Sequence, residues 1–295
     1  MAGFEDLNPQ TAIILVLFCT AVISLTVGSF LNVVIYRLLL SMFAKWKAEC
    51  KEFLKDNPDA KDEVDAKFNI AFPASHCPKC KAAIKPWQNI PILSYVLLRG
   101  KCGSCKAGIS IRYPIVEVVT AVLSVFCIYA LGLNLSGGLA VLFTWCLIAL
   151  TMIDVDHKLL PDDITLPLMW IGLIANSFGL FASLEHAVFG AIFGYGVLWS
   201  VYWLFKLLTG KEGMGYGDFK LLAALGAWMG WQMLPLIIIL SSLVGAIIGI
   251  AGIIIMGRDK NVPIPFGPYL AIAGWIAFFW GDTITAAYLQ FSKVG

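Results

Sequence analysis

Long uncharged runs of apolar residues constrain this chain more than any other feature of its sequence. Thr11–Tyr36 contains 26 residues without a charged side chain, and Leu221–Gly257 contains 37. A helix of about 20 apolar residues crosses the hydrocarbon core of a membrane, so the first run predicts one spanning helix. The second run is too long for one helix, and Gly230–Pro235 predicts a turn within it. Because only 14% of all residues are charged, a soluble globular domain is excluded.

Polar breaks divide the rest of the chain into similar apolar segments. The sequence therefore predicts an all-α polytopic membrane protein with about eight transmembrane helices. The first helix lacks the basic start and the small-residue cleavage site of a signal peptide, so we expect it to be retained. No internal repeat is apparent. The predicted helices lie near residues 11–36, 113–133, 138–153, 164–184, 187–205, 218–234, 236–256 and 266–289.

The basic residues predict the orientation of these helices. Of the 21 lysines and arginines, 14 lie between Arg37 and Arg112. If the N-terminus is periplasmic, this loop and three shorter loops on the same side hold 20 of the 21. Cytosolic loops carry the excess of positive charge in membrane proteins. We therefore expect a cytosolic loop between the first and second helices, and periplasmic termini.

Four of the eight cysteines lie in that loop as two Cys-x-x-Cys pairs, Cys77 with Cys80 and Cys102 with Cys105. Each pair can place two thiolates on one ion from a tight turn, so the quartet predicts a closed, structural zinc site. A redox dithiol and two disulfides are the alternatives, and a cytosolic location argues against disulfides. We expect His76 to be a surface histidine that zinc does not need. The other cysteines are interpreted as small hydrophobic or surface residues; they are Cys19, Cys50, Cys127 and Cys146.

Two aspartates, Asp154 and Asp218, lie where predicted helices meet the cytosolic edge of the membrane. Ionisable groups at membrane depth are costly and mark functional sites. Two carboxyl groups held close together in a low dielectric share a proton, so one can activate water while the other polarises a carbonyl group. The simpler interpretation, an interfacial charge at a helix end, suits three other aspartates better: Asp156, and Asp162 and Asp163, which follow Pro161 and are candidate caps of the next helix.

Asp218 ends a glycine-rich segment, Gly213-Met-Gly215-Tyr-Gly217-Asp218. Glycines at alternate positions allow the backbone to approach a substrate strand closely. A dinucleotide-binding loop is the competing interpretation, but no strand precedes the segment and the third glycine of that motif is missing. One further acid, Glu117, lies within the second predicted helix, where a buried, hydrogen-bonded carboxyl group is the simpler interpretation.

Several ordered motifs resemble the type IV prepilin peptidases, also called leader peptidase/N-methyltransferases, within the GxGD aspartyl proteases. The resemblance covers nearly the whole chain. The motifs are Gly28-Ser-Phe-Leu-Asn-Val-Val-Ile-Tyr-Arg37, the two cysteine pairs with Pro86-Trp-Gln-Asn-Ile-Pro91 between them, Arg112-Tyr-Pro114, Ile153-Asp-Val-Asp-His157, Leu160-Pro-Asp162, Gly215-Tyr-Gly-Asp-Phe-Lys220 and Pro265-Phe-Gly-Pro268.

This resemblance implies that Asp154 and Asp218 are the catalytic pair of an intramembrane aspartyl endopeptidase in the bacterial inner membrane. It implies type IV prepilins and type II secretion pseudopilins as substrates, whose basic leader is cut on the cytosolic side. It also implies N-methylation of the new N-terminus with S-adenosylmethionine, at a site to which we assign no residues. The implied organisation is a first transmembrane helix (1–40), a cytosolic zinc-binding loop domain (41–112) and a transmembrane aspartyl peptidase core (113–295).

Two other classes of protein remain open from the residues alone. A transporter or channel could use the two aspartates as ion sites, but it would often show repeat symmetry and broken helices. A quinone-linked redox protein would carry its thiols on the periplasmic side. No nucleic-acid partner is expected, and the bilayer is the expected surrounding.

Overall fold

The computed structural model describes residues 8–53, 75–256 and 265–294, and within these ranges it is helical with no β-strands. Eight of its nine α-helices correspond to the eight predicted apolar segments, and α2 is an additional short helix. The helices are α1 (Pro9–Phe53), α2 (Leu93–Leu97), α3 (Arg112–Leu131), α4 (Leu135–His157), α5 (Asp162–Ser177), α6 (Leu184–Thr209), α7 (Tyr216–Met229), α8 (Leu234–Met256) and α9 (Gly267–Val294).

Six of these helices, α1, α3, α4, α6, α8 and α9, are long and apolar enough to cross a membrane. The all-α, multi-pass membrane fold is thereby confirmed. The two remaining apolar helices are shorter than a full span, since α5 has 16 residues and α7 has 14. A 14-residue helix is about 21 Å long, against about 30 Å for the hydrocarbon core. The prediction of eight spans therefore corresponds to six full-length helices and two short ones.

Helix α1 continues well past the predicted end at residue 36, to Phe53. The segment from Ser29 to Phe53 contains no glycine or proline, so nothing in the sequence stops the helix where its apolar part ends. The segment Lys45–Lys67, which mixes lysines with acidic residues, is helical as far as Phe53, and its remainder lies outside the described residues.

The chain divides into two compact units, residues 1–145 and 146–295. In unit 1, α1 packs closely on α3, because a Cβ added to Gly28 would lie 2.8 Å from the Cα of Glu117. The Asn32 amide donates hydrogen bonds to the carbonyl oxygens of Gly28 and Tyr113, each at 3.2 Å. The organisation into segments 1–40, 41–112 and 113–295 stays a prediction.

Unit 2 is built around α7, in which ten of 14 residues are buried. Helix α6 approaches it through glycines: a Cβ on Gly190 would collide with the carbonyl oxygen of Gly226, and one on Gly194 would meet that of Leu222. The buried Asn176 of α5 donates to the carbonyl oxygens of Ala227 and Trp228 at the end of α7. Because protein surrounds α7, its sequence is apolar on every side although the helix is short.

Candidate active site and metal centre

Asp154 lies near the C-terminal end of α4 and is buried, with 4% of its surface exposed. The helix ends three residues later, and Lys158 then takes a left-handed backbone conformation with φ of 55°. The backbone N–H of Gly267, the first residue of α9, donates to Asp154 Oδ2 at 3.0 Å. A Cβ at residue 267 would lie 2.7 Å from the same oxygen, so glycine is needed for this close approach.

Asp218 lies in the first turn of α7 and is also buried, with 7% exposed. Gly215 is the N-cap of that helix, and its carbonyl oxygen accepts from the Asp218 backbone N–H at 3.2 Å. A carboxylate in the first turn of a helix is stabilised by the unpaired N–H groups and by the positive end of the helix dipole. This effect is opposed by burial and by the nearby Asp154, which both disfavour ionisation of Asp218.

The structure brings the two aspartates together within unit 2. The Asp154 and Asp218 carboxyl groups interact electrostatically, although 63 residues separate them in the sequence. Leu160, in the loop after α4, lies against the glycine that precedes Asp218 and the glycine that donates to Asp154: a Cβ on Gly217 would lie 2.8 Å from its Cβ, and one on Gly267 would lie 3.1 Å from its Cδ1. Two buried carboxyl groups that interact in this way resist ionising together.

The surroundings of the glycines before Asp218 differ from those predicted from the sequence. The prediction left the space beside these glycines for a substrate strand. A Cβ on Gly213 would lie 2.9 Å from the ring of Phe205, and Gly217 packs on Leu160. At these two positions, side chains of the same chain occupy the space. Gly215 differs, because the nearest atom to its added Cβ is Asp218 Oδ2 at 3.7 Å. Gly215 thus leaves room beside the carboxyl group itself.

The four predicted zinc ligands come together in unit 1. The sulfur atoms of Cys77, Cys80, Cys102 and Cys105 lie within 4.8 Å of one another. The Sγ atoms of Cys77 and Cys105 are 3.9 Å apart, close to the roughly 3.8 Å expected between two thiolates on a tetrahedral zinc with bonds of about 2.3 Å. The donor set therefore fits zinc. His76 is exposed and lies outside the sulfur cluster.

Each cysteine pair is held by the same backbone hydrogen bonds. The Cys77 N–H donates to the Ala82 carbonyl and the Cys102 N–H to the Ala107 carbonyl, while Lys81 and Lys106 both take φ of 59°. Both turns carry the sequence Cys-x-x-Cys-Lys-Ala-x-Ile, an eight-residue repeat that the sequence analysis missed. The N–H groups of Cys80 and Lys79 lower the pKa of the Cys77 thiol to about 6. A hydrogen-bonded thiolate of this kind is ready to bind a metal ion.

Known proteins resemble this chain in both units. A family model described as the bacterial Peptidase A24 N-terminal domain matches residues 22–131, and one described as the type IV leader peptidase family matches residues 141–250. A prepilin leader peptidase/N-methyltransferase of Pseudomonas aeruginosa is 59% identical over 274 residues, which cover 93% of each chain. The chain belongs to the type IV leader peptidase family. It is therefore a membrane-embedded enzyme, and the resemblance seen in the sequence motifs is confirmed.

Other relatives carry the same name at similar coverage. One from Stutzerimonas stutzeri is 56% identical over 276 residues, 94% of each chain. One from Legionella pneumophila is 48% identical over 268 residues, 91% of this chain and 92% of the relative. No solved structure matches the chain significantly.

Three other aspartates near the pair in the sequence lie at the surface of the described part of the chain. Asp156, Asp162 and Asp163 are all exposed. The prediction that Asp162 and Asp163 cap a helix beginning at Ile164 is wrong, because α5 begins at Asp162 itself with Pro161 as its N-cap. Asp162 instead accepts from the Lys220 Nζ at 2.6 and 2.7 Å. This ion pair joins the start of α5 to the first turn of α7.

Sequence reasoning gave no role to three residues that shape the site. Gly267 supplies the hydrogen bond to Asp154, Leu160 lies against Gly217 and Gly267, and Gly190 brings α6 against α7. The motifs Leu160-Pro-Asp162 and Pro265-Phe-Gly-Pro268 were recognised in the sequence, but their proximity to the aspartates was not predicted. The Gly190-x-x-x-Gly194 spacing, typical of close helix packing in membranes, was an available signal that was missed.

Proposed function

We propose that this leader peptidase removes the basic leader of type IV prepilins and type II secretion pseudopilins through Asp154 and Asp218, at the cytosolic edge of the bacterial inner membrane. We further propose that it methylates the new N-terminus, with S-adenosylmethionine as the methyl donor. The observation that carries the proposal is the pairing of two buried carboxyl groups from α4 and α7 within one compact unit. The matching relatives are named for both activities.

The pair suits acid–base hydrolysis of a peptide bond. The ionised carboxyl group takes a proton from water as the water oxygen attacks the carbonyl carbon, and the protonated one donates to the carbonyl oxygen. A proton then passes to the amine nitrogen as the carbon–nitrogen bond breaks. The Gly267 N–H holds one oxygen of Asp154 in place, and Asp218 lies in the first turn of α7.

The four cysteines would hold zinc in a closed, four-thiolate site. Such a site supplies no catalytic chemistry because no coordination position is open to substrate, and it stabilises the fold around it. We propose this structural role for the module between α1 and α3. Its matched turns support it.

The assay for the proposed function uses purified enzyme, a prepilin with its leader, and S-adenosylmethionine. Mass spectrometry should detect loss of the leader and gain of one methyl group. Asp154→Asn and Asp218→Asn should abolish cleavage. Asp163→Asn, a change at an exposed aspartate in the first turn of α5, should not. Near-normal cleavage by either catalytic variant would refute the assignment of the pair.

The proposed orientation has its own test. Cys50 is exposed near the end of α1 and is cytosolic in this proposal. A membrane-impermeant thiol reagent should therefore fail to label it in intact cells and should label it after lysis, with a Cys50→Ser chain as the matched control. Labelling of Cys50 in intact cells would reverse the orientation.

A further inference from the structure

The segment between the two cysteine pairs, residues 87–98, carries exposed apolar side chains that neither proposed activity uses. Leu93, Val96 and Leu97 are spaced i, i+3 and i+4 along α2, so they lie on one face of that helical turn. Grouped apolar side chains at a protein surface mark a contact with a membrane or with another protein. The five side chains of this kind are between 45% and 68% exposed, and they belong to Trp87, Ile90, Leu93, Val96 and Leu97.

Other side chains of the same segment pack against the second cysteine turn. A Cβ on Gly103 would lie 2.5 Å from Gln88 Nε2 and 3.9 Å from Leu98 Cδ2. A Cβ on Gly100, just before that turn, would lie 3.0 Å from the Tyr95 hydroxyl oxygen. The segment therefore has an inner side, which contacts the cysteine turn, and an outer side, which is apolar and exposed.

Two hydrogen bonds attach the segment to membrane-spanning helices of unit 1. The Ile92 N–H donates to Glu117 Oε2 of α3 at 2.8 Å, and Glu117 is buried, as the sequence predicted. The Ser29 hydroxyl of α1 donates to the Asn89 carbonyl oxygen at 3.5 Å. Residues 89 and 92 therefore lie beside the spanning parts of α1 and α3.

These two contacts also set the depth of the segment. Glu117 is five residues after Arg112, where the spanning helix α3 begins, which is about 7.5 Å along the helix axis. Ser29 is seven residues before Tyr36, where the first uncharged run ends, which is about 10 Å. Both helices thus place the segment at the depth of about 5–10 Å that is typical of elements lying in the membrane interface.

The backbone of the segment suits this depth. The N–H groups of Ser94, Val96 and Leu98 donate to carbonyl oxygens four residues earlier, at 2.9–3.1 Å. Backbone polar groups at lipid depth need partners within the protein, because hydrocarbon offers none. The flanking side chains suit it too, since Arg99 and Lys101 are exposed directly after the segment and basic groups bind phospholipid phosphates at a membrane surface.

We propose that residues 87–98 form an interfacial anchor, whose outer side lies among the phospholipids of the membrane that α1 and α3 cross. Lipid then covers the exposed apolar face, which is continuous with the lipid contacts of the two spanning helices. Through Gln88 and Leu98 the anchor holds the second cysteine turn against the membrane surface. The inference goes beyond both proposed activities and requires neither of them.

The first test uses the unmodified enzyme in nanodiscs that hold one chain each. The probe is a phospholipid whose acyl chain carries a photoreactive diazirine near the glycerol backbone, and peptide mass spectrometry locates the label after illumination. We expect label on residues 87–98 as well as on the spanning helices. The turn that contains Ser104 lies against the inner side of the anchor and should stay at background. Labelling of residues 87–98 no greater than that of this turn would overturn the inference.

A substitution tests the same face. Leu97→Asp places a charge at the most exposed of the five apolar positions, and charged side chains are disfavoured in hydrocarbon. Ser104→Asp, which adds the same charge at an exposed position of the cysteine turn, is the matched control. Lipid label on residues 87–98 should fall to background in Leu97→Asp and remain at the wild-type level in Ser104→Asp.

The melting temperature in detergent reports whether each variant is folded. If Leu97→Asp is not, the labelling of the unmodified enzyme decides alone. Wild-type labelling in a folded Leu97→Asp enzyme would overturn the inference.

A protein partner on this face would give a different result. With a benzophenone side chain in place of Val96, illumination of membranes that also contain a prepilin should give adducts of phospholipid mass. Adducts mainly to the prepilin or to a second copy of the enzyme would overturn the inference and assign the face to that partner.

Discussion

The two compact units assemble their polar sites in opposite ways. In unit 2, Asp154 and Asp218 belong to different helices, α4 and α7, and their carboxyl groups interact although the two residues are far apart in the sequence. In unit 1, each cysteine pair is set by hydrogen bonds within a single turn, such as the one from Cys77 to Ala82. The proposed peptidase site therefore depends on contacts between residues far apart in the chain, whereas the proposed metal site depends on local turns. Substitutions in the two units should affect cleavage and metal binding separately.

The largest expected effect is on cleavage when an aspartate of the pair is neutralised. Asp218→Asn removes one partner of the acid–base pair, so the cleavage rate should fall by about 10²–10⁴-fold. Methylation of an already cut peptide should continue, because methyl transfer does not require hydrolysis of a peptide bond. Parallel assays of both reactions on one preparation measure this separation. Equal loss of both activities in a folded variant would show that methylation also depends on Asp218.

The next effect concerns the metal. Cys77→Ser removes one of four thiolate ligands, so bound zinc should fall from about one ion per chain to a small fraction of that. Elemental analysis of purified protein measures the stoichiometry. Cys50→Ser, an exposed cysteine outside the quartet, should keep its zinc. Unchanged stoichiometry in Cys77→Ser would contradict the proposed site.

A smaller effect is expected from the packing of α6 on α7. Gly226→Ala places a methyl group against the Gly190 carbonyl oxygen, and overpacking of this kind typically costs about 1–3 kcal/mol. The melting temperature in detergent and the cleavage rate should both decrease. Gly196→Ala is the matched control on α6, since nothing lies within 4 Å of its added Cβ. A stable, fully active Gly226→Ala enzyme would show that this contact does not position α7.

The smallest effect is expected from the ion pair between Lys220 and Asp162. Its side chains are 27% and 52% exposed, and solvent-exposed pairs contribute about 0–1 kcal/mol. Asp162→Asn should therefore change the free energy of unfolding by less than about 1 kcal/mol, with a decrease that fades at high salt. Denaturant unfolding at two salt concentrations measures it. A large loss of cleavage in this variant would instead give the pair a role in positioning Asp218.

The site was easier to predict as a set of residues than as a geometry. The cysteine quartet was predicted as a cluster because each half is a four-residue pattern with a known turn. The aspartates were predicted as a pair because both fell at one membrane edge and within known motifs. Three features were not predictable, because each depends on residues brought together by packing. They are the hydrogen bond from Gly267 to Asp154, the contacts of Leu160 with Gly217 and Gly267, and the space beside Gly215.

Local patterns in the sequence are sufficient to predict a multi-pass helical membrane protein, because runs of apolar residues are a local property that a bilayer selects. They also identify aspartates and cysteines suited to acid–base chemistry and metal binding. The packed structure was needed to show that α5 and α7 are short, that glycines bring α6 onto α7, and that Glu117 accepts from Ile92. Those outcomes depend on which helix faces another helix and which faces lipid, and an apolar sequence is compatible with both.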